Sequence, residues 1–540
     1  MTLHVELISG AFLTDAAAGP QIEVRGLDGR EAVGELYEFR LLLQRDAPFA
    51  MPELDRLLAE PCALRLWDSE AGAVEPDSFI QGILRRVDRL DAGGRAGAFY
   101  YAELVPRAWL LETNRGSRAF MDQRLADIAR ALLGGCGLVD GTDYAIRLSA
   151  GHQRKLEYCV QFEETDWTFL QRRLEHEGYA YWFEQGDGGE RLVIADHVGA
   201  SASFEPPIEA SYGLSNLATG SGYARQVLYD WTRSHRRTHR RVALIDYDSG
   251  QRRGKATAAA ARWLMRQAEV APVGSAGAGF PFGAFGSLVE LGDYTGYATS
   301  DGDDGAGAYL ARVRAEQVSS ERVVYGACTQ SRRLHAGSVF VLRGSTLAAG
   351  HPDENYEADE DNDRKYFVTA VQHRYGVPVR CSSSAFEATS SHYLLELTAV
   401  RADLPYRPPR RTPWPRIDGV LGAVVVGERG DGTDAQQKYP HIDEHGRYKV
   451  RLPFAVHGGS HVWVRMAETM TGQSYGTHLP LHPGAEVLLA HIAGNPDRPV
   501  IVGALPNGSM PTPVAQADAP RSRIRSAGQV TIEIDDSSPQ

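Results

Sequence analysis

Apolar and polar positions alternate along several short segments of this chain, most clearly towards its C-terminal part. From Tyr448 to Phe454, Tyr448, Val450, Leu452 and Phe454 alternate with Lys449 and Arg451. Val462, Val464 and Met466 likewise alternate with His461, Trp463 and Arg465. A period of two predicts half-buried strands. Glu486–Ile492 and Val500–Val502 are denser apolar runs, and Gly419–Gly427 adds a fifth segment. The turn-forming cluster Gly494-Asn495-Pro496-Asp497-Arg498-Pro499 separates the last two strands. Five short antiparallel strands with such turns predict a small closed barrel of the OB type.

Upstream, the pattern is again mainly β, with a few α-helices. Strands are expected at 21–25, 37–43, 62–67, 79–90 and 99–111, with a helical turn around Leu54, Leu57 and Leu58. Leu125, Ile128, Ala129, Leu132 and Leu133 form one apolar stripe, a helix closed by Gly134-Gly135. A second helix is expected to begin at Asp166 as N-cap, with Trp167, Leu170 and Leu174 on one face and Gly178 past its end. Strands then return at 179–184 and 191–196. The basic, aromatic stretch Tyr229–Tyr247 suits a solvated strand at a subunit interface. An alanine-rich helix is expected over 256–271 and a glycine-rich loop over 274–286. Strands follow at about 307–318, 337–343 and 366–377.

Two proline-rich connectors divide the chain. Tyr406–Pro415 (YRPPRRTPWP) is stiffened towards extended conformations and leads into the barrel. Pro506–Pro520 follows the barrel, and beyond it Val530, Ile532 and Ile534 alternate with polar residues as one further strand. The divisions expected are 1–410, a platform of two barrel-like subdomains with inserted helices; 411–507, the OB barrel; and 508–540, a linker and the start of a β-helix.

Length and charge narrow the function. A chain of 540 residues should hold about three or four domains. The net charge of −12 argues against general nucleic-acid binding, which leaves a basic footprint. No stretch approaches the roughly 20 continuous apolar residues of a membrane span. The N-terminus has an acidic residue within its apolar run and no basic leader, which argues against a cleaved secretory signal. Cys62, Cys136, Cys159, Cys328 and Cys381 are widely spaced, with no CxxC pair, and read as reduced thiols.

Three catalytic or metal motifs occur and fail in context. His441-Ile442-Asp443-Glu444-His445 matches a zinc-peptidase string, but that chemistry needs a helix. Pro440 before it and Gly446 after it predict a turn. Gly472-Gln473-Ser474-Tyr475-Gly476 matches a nucleophile elbow, yet the prolines that follow preclude the required helix. Asp359, Asp361 and Asp363 have calcium-loop spacing, but Arg364 stands where the loop needs glycine. No catalytic residue, metal ligand or cofactor site is therefore expected. An oligonucleotide-binding OB barrel is the rival, since Arg447, Lys449 and Arg451 share one strand face.

The order DEHGRYKVRLPF, VWVRMAE, a Gly-rich turn, then HPGAEVLLAHIAGNPDRPVIVGAL resembles the barrel of the VgrG family, the spike proteins of type VI secretion. These are similar in turn to hub and spike proteins of contractile-tailed phages. The run from Tyr158 to Asp196 resembles the most recognisable segment of the VgrG hub, a helix packed on a hairpin. The resemblance implies a homotrimer capping an Hcp tube, with a PAAR-type tip protein and effector cargo as further partners. It also implies contact with target membranes by mechanical puncture alone, no nucleic acid, assembly in the bacterial cytoplasm and export by type VI secretion. A phage tail hub is the neighbouring alternative. The resemblance further implies that the last strand starts a needle, either truncated here or completed by another chain. Within the barrel it marks Asp443, His445, Gly446, Arg447, Trp463, Arg465, Gly476, Gly484, Glu486, Asn495, Pro496, Asp497 and Pro499 as the structural and assembly motif.

Overall fold

The computed structural model describes residues 3–9, 22–68, 78–91, 97–149, 154–186, 188–197, 208–212, 227–248, 262–270, 287–291, 297–298, 305–343, 364–376, 393–428, 439–454, 461–473 and 475–537. Strands dominate, as the alternation predicts. The acidic loop at 351–363, the glycine-rich 274–286, Ser474 and Cys381 lie outside the described residues.

Twelve strands form two rings joined along one seam. In the first ring the neighbours run 3–9, 62–68, 78–90, 98–105, 38–45 and 22–32, and 3–9 closes back on 22–32. In the second they run 365–376, 339–343, 208–212, 227–235, 323–329 and 394–401, and 394–401 closes on 365–376. Closure leaves neither ring with a free edge along these strands. The seam is the antiparallel pairing of 22–32 with 365–376, from Gly26 opposite Gly376 to Ala32 opposite Ala370. Gly376 is required there: its φ is +66°, and a Cβ would stand 2.2 Å from the Arg25 carbonyl oxygen. One continuous apolar core, with Phe39, Leu41, Tyr100, Phe169, Phe340 and Val368 buried, runs through both rings and the helices between them.

Among the described residues four α-helices are inserted: α1 (Met51–Ala59), α2 (Leu125–Gly135), α3 (Asp166–Glu177) and α4 (Gly305–Ser320). The last corrects the expected strand at 307–318. Tyr309, Ala311, Val313 and Ala315 do alternate, but buried Leu310 and Val313, or Ala311, Ala315 and Val318, also fall at helical spacings. Packing of α4 against strands 241–248 and 262–269 decides between the two periods. Conversely, 262–269 is a strand where a helix is expected. It pairs antiparallel with 241–248, and Met265, Gln267 and Glu269 face solvent while Arg266 and Ala268 are half-buried. The strand expected at 99–111 stops at Val105, because Pro106 cannot donate to the ladder, and a 3₁₀ turn follows at 107–112.

The C-terminal barrel closes in the order 421–425, 448–451, 461–466, 499–505 and 486–491. It is not antiparallel throughout: 461–466 and 499–505 run parallel, Arg465 opposite Val500. The chain leaves the third strand, forms the 471–476 hairpin and the fourth strand, and returns beside the third in the same direction. Its apolar core includes Val425, Tyr448, Val450, Val464, Val487, Leu489 and Ile501. Beyond it, 521–525 and 531–535 form a hairpin of two strands rather than the single strand expected. Among the described residues no helix is long and apolar enough to cross a membrane.

Candidate assembly site between the rings and the barrel

Helix α3 organises the junction. Its N-cap is Thr165, not Asp166: the Thr165 hydroxyl accepts from the Thr168 amide at 3.0 Å. Asp166 is instead the first helical residue, and its carboxylate accepts from Asn114 at 2.7 Å, Gln161 at 2.8 Å and Arg118. Gly178 ends the helix in the left-handed conformation at φ +72°. A Cβ there would lie 2.2 Å from Val313 Cγ1 of α4.

The helix buries charge on the face opposite its apolar stripe. Arg172 is 2 % exposed, and it donates to both Glu164 carboxylate oxygens and, at 2.7 Å, to the Val160 carbonyl. Its neighbour Arg173 reaches across to the barrel and donates to Asp497 Oδ2 at 2.9 Å. Asp497 Oδ1 in turn accepts the Val160 amide at 2.7 Å. A single barrel carboxylate thus ties both helix α3 and the strand 155–165, which pairs with 115–124. Charge-assisted pairs of this kind are the stronger hydrogen bonds, and removing one partner leaves the other charge buried.

The proline-rich connector is clamped into the same junction. Glu175 accepts the Arg411 and Thr412 amides at 3.0 and 2.9 Å and the Thr412 hydroxyl at 2.8 Å. Arg407, 7 % exposed, donates to Glu316 of α4 at 2.7 Å and to the Gly178 carbonyl at 3.0 Å. The Trp414 ring lies beneath two guanidinium groups, 4.4 Å from Arg172 and 5.1 Å from Arg173. Its indole N–H donates to Asn495 Oδ1 at 3.2 Å. His176 stands 5.4 Å from the same ring, and burial pushes its imidazole down to about 4 despite the adjacent Glu177.

A second contact forms where the chain turns into the second barrel strand. Asp443 Oδ1 accepts the His445 and Arg447 amides at 3.0 and 2.9 Å, and Gly446 takes φ +75°. Arg447 donates to Asp443 Oδ2 at 2.7 Å and to Glu157 of the strand 155–165 at 2.8 Å. This turn is not a helix, so His441 and His445 lack the geometry of the zinc-peptidase string. Ala119, Met121 and Tyr158 pack apolar surface against the barrel core beside it. Arg498 adds a 3.0 Å pair to Asp246.

Of the residues marked from sequence, Asp443, His445, Gly446, Arg447, Asn495 and Asp497 come together at this junction. Pro496 and Pro499 flank them in the same turn. The others belong to the barrel itself. Trp463 packs edge-on against His441 at 4.7 Å, and burial, with Arg498 next, lowers the Arg465 pKa. Gly476 closes the 471–476 hairpin, where a Cβ would meet the Met470 carbonyl at 2.5 Å. The Gly484 amide donates to the Val425 carbonyl at 2.9 Å, and Glu486 pairs in register with Val424 and Leu505. Sequence reasoning missed the other half of the junction: Glu157, Arg172, Arg173, Glu175, Arg407 and Trp414. The available signal was a helix carrying arginines and glutamates on the face its apolar stripe leaves free.

Residues 30–378, well over half of the chain, match the phage tail baseplate hub (GPD) family. The chain belongs to that family. Residues 438–505 of this hub chain match the type VI secretion system/phage-baseplate injector OB domain. Relatives include the type VI secretion system spike proteins VgrG1c and VgrG1a of Pseudomonas aeruginosa, each 29% identical. The alignments cover 92% and 95% of the hub chain but 62% and 72% of those proteins. The actin cross-linking toxin VgrG1 of Vibrio cholerae is 26% identical, with 40% of its length covered. Among solved structures, the E. coli c3393 protein, a component of the type VI secretion system, has a TM-score of 0.59 at 18% identity. That match covers 92% of the hub chain and 99% of c3393. A chain of the Francisella PdpA–VgrG complex gives 0.60 at 10% identity, over 99% of the hub chain and 83% of its own length. These likenesses show the fold.

Proposed function

We propose that this hub chain is the platform and neck of a type VI secretion spike, acting by force rather than by catalysis. In this reading residues 1–410 form the platform, 411–507 the neck and 508–540 the start of the needle. Three copies present a pseudo-sixfold surface to an Hcp tube, and a PAAR-type tip and effector cargo ride at the far end. The target membrane is met only mechanically, and nucleic acid is not a partner. The spike is assembled in the bacterial cytoplasm and leaves by type VI secretion.

The observation that carries this reading is the charged clamp between platform and neck. A load from a contracting sheath must cross that junction, and Arg173–Asp497, Arg447–Glu157 and the Glu175–connector bonds all hold it. Support also comes from the type VI secretion spike relatives, which match both parts in one alignment. Sedimentation equilibrium of the chain, alone and with purified Hcp rings, tests it. A trimer that co-sediments with the rings is expected; a chain that ignores them overturns the reading. The family match equally fits a phage tail hub, and binding to phage tail-tube protein in place of Hcp would select that alternative.

A further inference from the structure

We propose that Glu31, His335 and His373 form a binding site for a divalent transition-metal cation, zinc by ligand type, at the seam between the two rings. Glu31 lies on strand 22–32 and His373 on strand 365–376, the two strands whose pairing joins the rings. His335 comes from the loop before strand 339–343, so the three side chains belong to three segments far apart in sequence. Their ligand atoms all lie within 4.8 Å of one another. His335 Nδ1 and His373 Nε2 are each 3.0 Å from the same oxygen, Glu31 Oε1.

His335 Nδ1 is hydrogen-bonded to Glu31 Oε1, and the feature that points to a cation is the second histidine. His373 is fully buried, and its Nε2 makes no properly directed hydrogen bond despite that short distance. Its other nitrogen, Nδ1, is 2.6 Å from the Tyr393 hydroxyl. When Nδ1 carries the proton and donates to Tyr393, Nε2 is left with a lone pair facing a carboxylate oxygen. A metal ion resolves that opposition, and an outer partner on the second ring nitrogen is the usual support of a ligating histidine. Phe39 packs on the His373 ring at 5.1 Å and fixes its plane. Two imidazoles and one carboxylate suit zinc, which binds such donors at about 2.0–2.2 Å and so needs them about 3.4 Å apart. Each histidine–glutamate pair must open by only a few tenths of an ångström, and the two ring nitrogens lie within 4.8 Å of each other. His335, with its side chain 14% exposed, is the ligand nearest solvent. Bound there, the ion links strands of both rings and stabilises the folded platform by its own binding energy.

The test uses the full chain without a histidine tag, stripped by chelator and titrated with Zn²⁺ in a calorimeter. One equivalent per chain is expected, together with a rise in the unfolding midpoint. Glu31→Gln and His373→Ala should each weaken binding at least tenfold. No uptake overturns the proposal, and so does uptake that both variants retain, which would place the ion elsewhere. If the variants fail to fold, X-ray absorption of the zinc-loaded wild type decides. Two imidazoles with oxygen donors support the site; any other ligand shell refutes it.

Discussion

The junction between rings and barrel and the hairpin after the barrel solve opposite problems. At the junction the chain buries charge and pairs it with groups of its own: Arg172, Arg173, Glu175, Arg407 and Arg447 are all less than 9 % exposed. At the hairpin it does the reverse and exposes apolar side chains. Ile524, Val530, Ile532 and Ile534 are 57–70% exposed, while Arg521 pairs with Asp535 and Arg523 with Glu533 on the other face. A buried ion pair is specific but weak as a source of net stability, whereas an apolar stripe is strong but unspecific. The junction's charged groups are thus paired within one chain, whereas the hairpin leaves its isoleucine face exposed.

The sharpest way to break this contrast is to remove charge from the junction. Arg172→Ala leaves Glu164 buried without its partner and should cost about 3–5 kcal/mol in urea unfolding. A loss below 1 kcal/mol would mean that water already reaches the site. Acid should act more gently on the same place. His176 has its pKa lowered by burial to about 4, from an unfolded value near 6.5. The unfolded chain therefore binds more protons between those values. The His176 contribution is complete above pH 6.5 and is lost as pH falls towards 4, on the order of 3 kcal/mol in all. Midpoints measured at pH 7 and pH 4.5, for wild type and His176→Phe, should show a smaller drop in the variant. Gly178→Ala should cost about 1–3 kcal/mol, because alanine at φ +72° is strained and its methyl meets Val313.

Much of this architecture was legible because alternation is a local signal. The barrel strands, α2, α3 and the Gly178 terminus follow from side-chain period and turn residues alone. The misreadings fall where two periods coexist or where a distant partner decides. Residues 309–315 alternate like a strand yet pack as α4, and 262–269 become a strand because 241–248 pairs with them. Half of the junction was visible as the barrel motif, since Asp443, Gly446 and Asn495 shape local turns. The other half was hidden because Arg173 and Asp497 are 324 residues apart, and period does not say which buried charges meet. The seam cluster was hidden for the same reason: Glu31 and His335 are 304 residues apart.

The smallest expected effect on the single chain is also the one that tests the hairpin's side of the comparison. Ile532→Ser removes an apolar group that is 64% exposed and sits opposite Ile524 in register. In an isolated chain such a surface change should move stability by no more than about 0.5 kcal/mol. In a self-associated form it should matter far more, because each copy would expose a polar group inside a shared apolar face. The readout is the association constant from sedimentation at several loading concentrations, compared with the unfolding midpoint of the dissociated chain. A weaker association with an unchanged midpoint places the hairpin's stabilising contacts between copies. An unchanged association with a lowered midpoint would mean that the isoleucine face folds back onto its own chain, and the contrast with the junction would collapse.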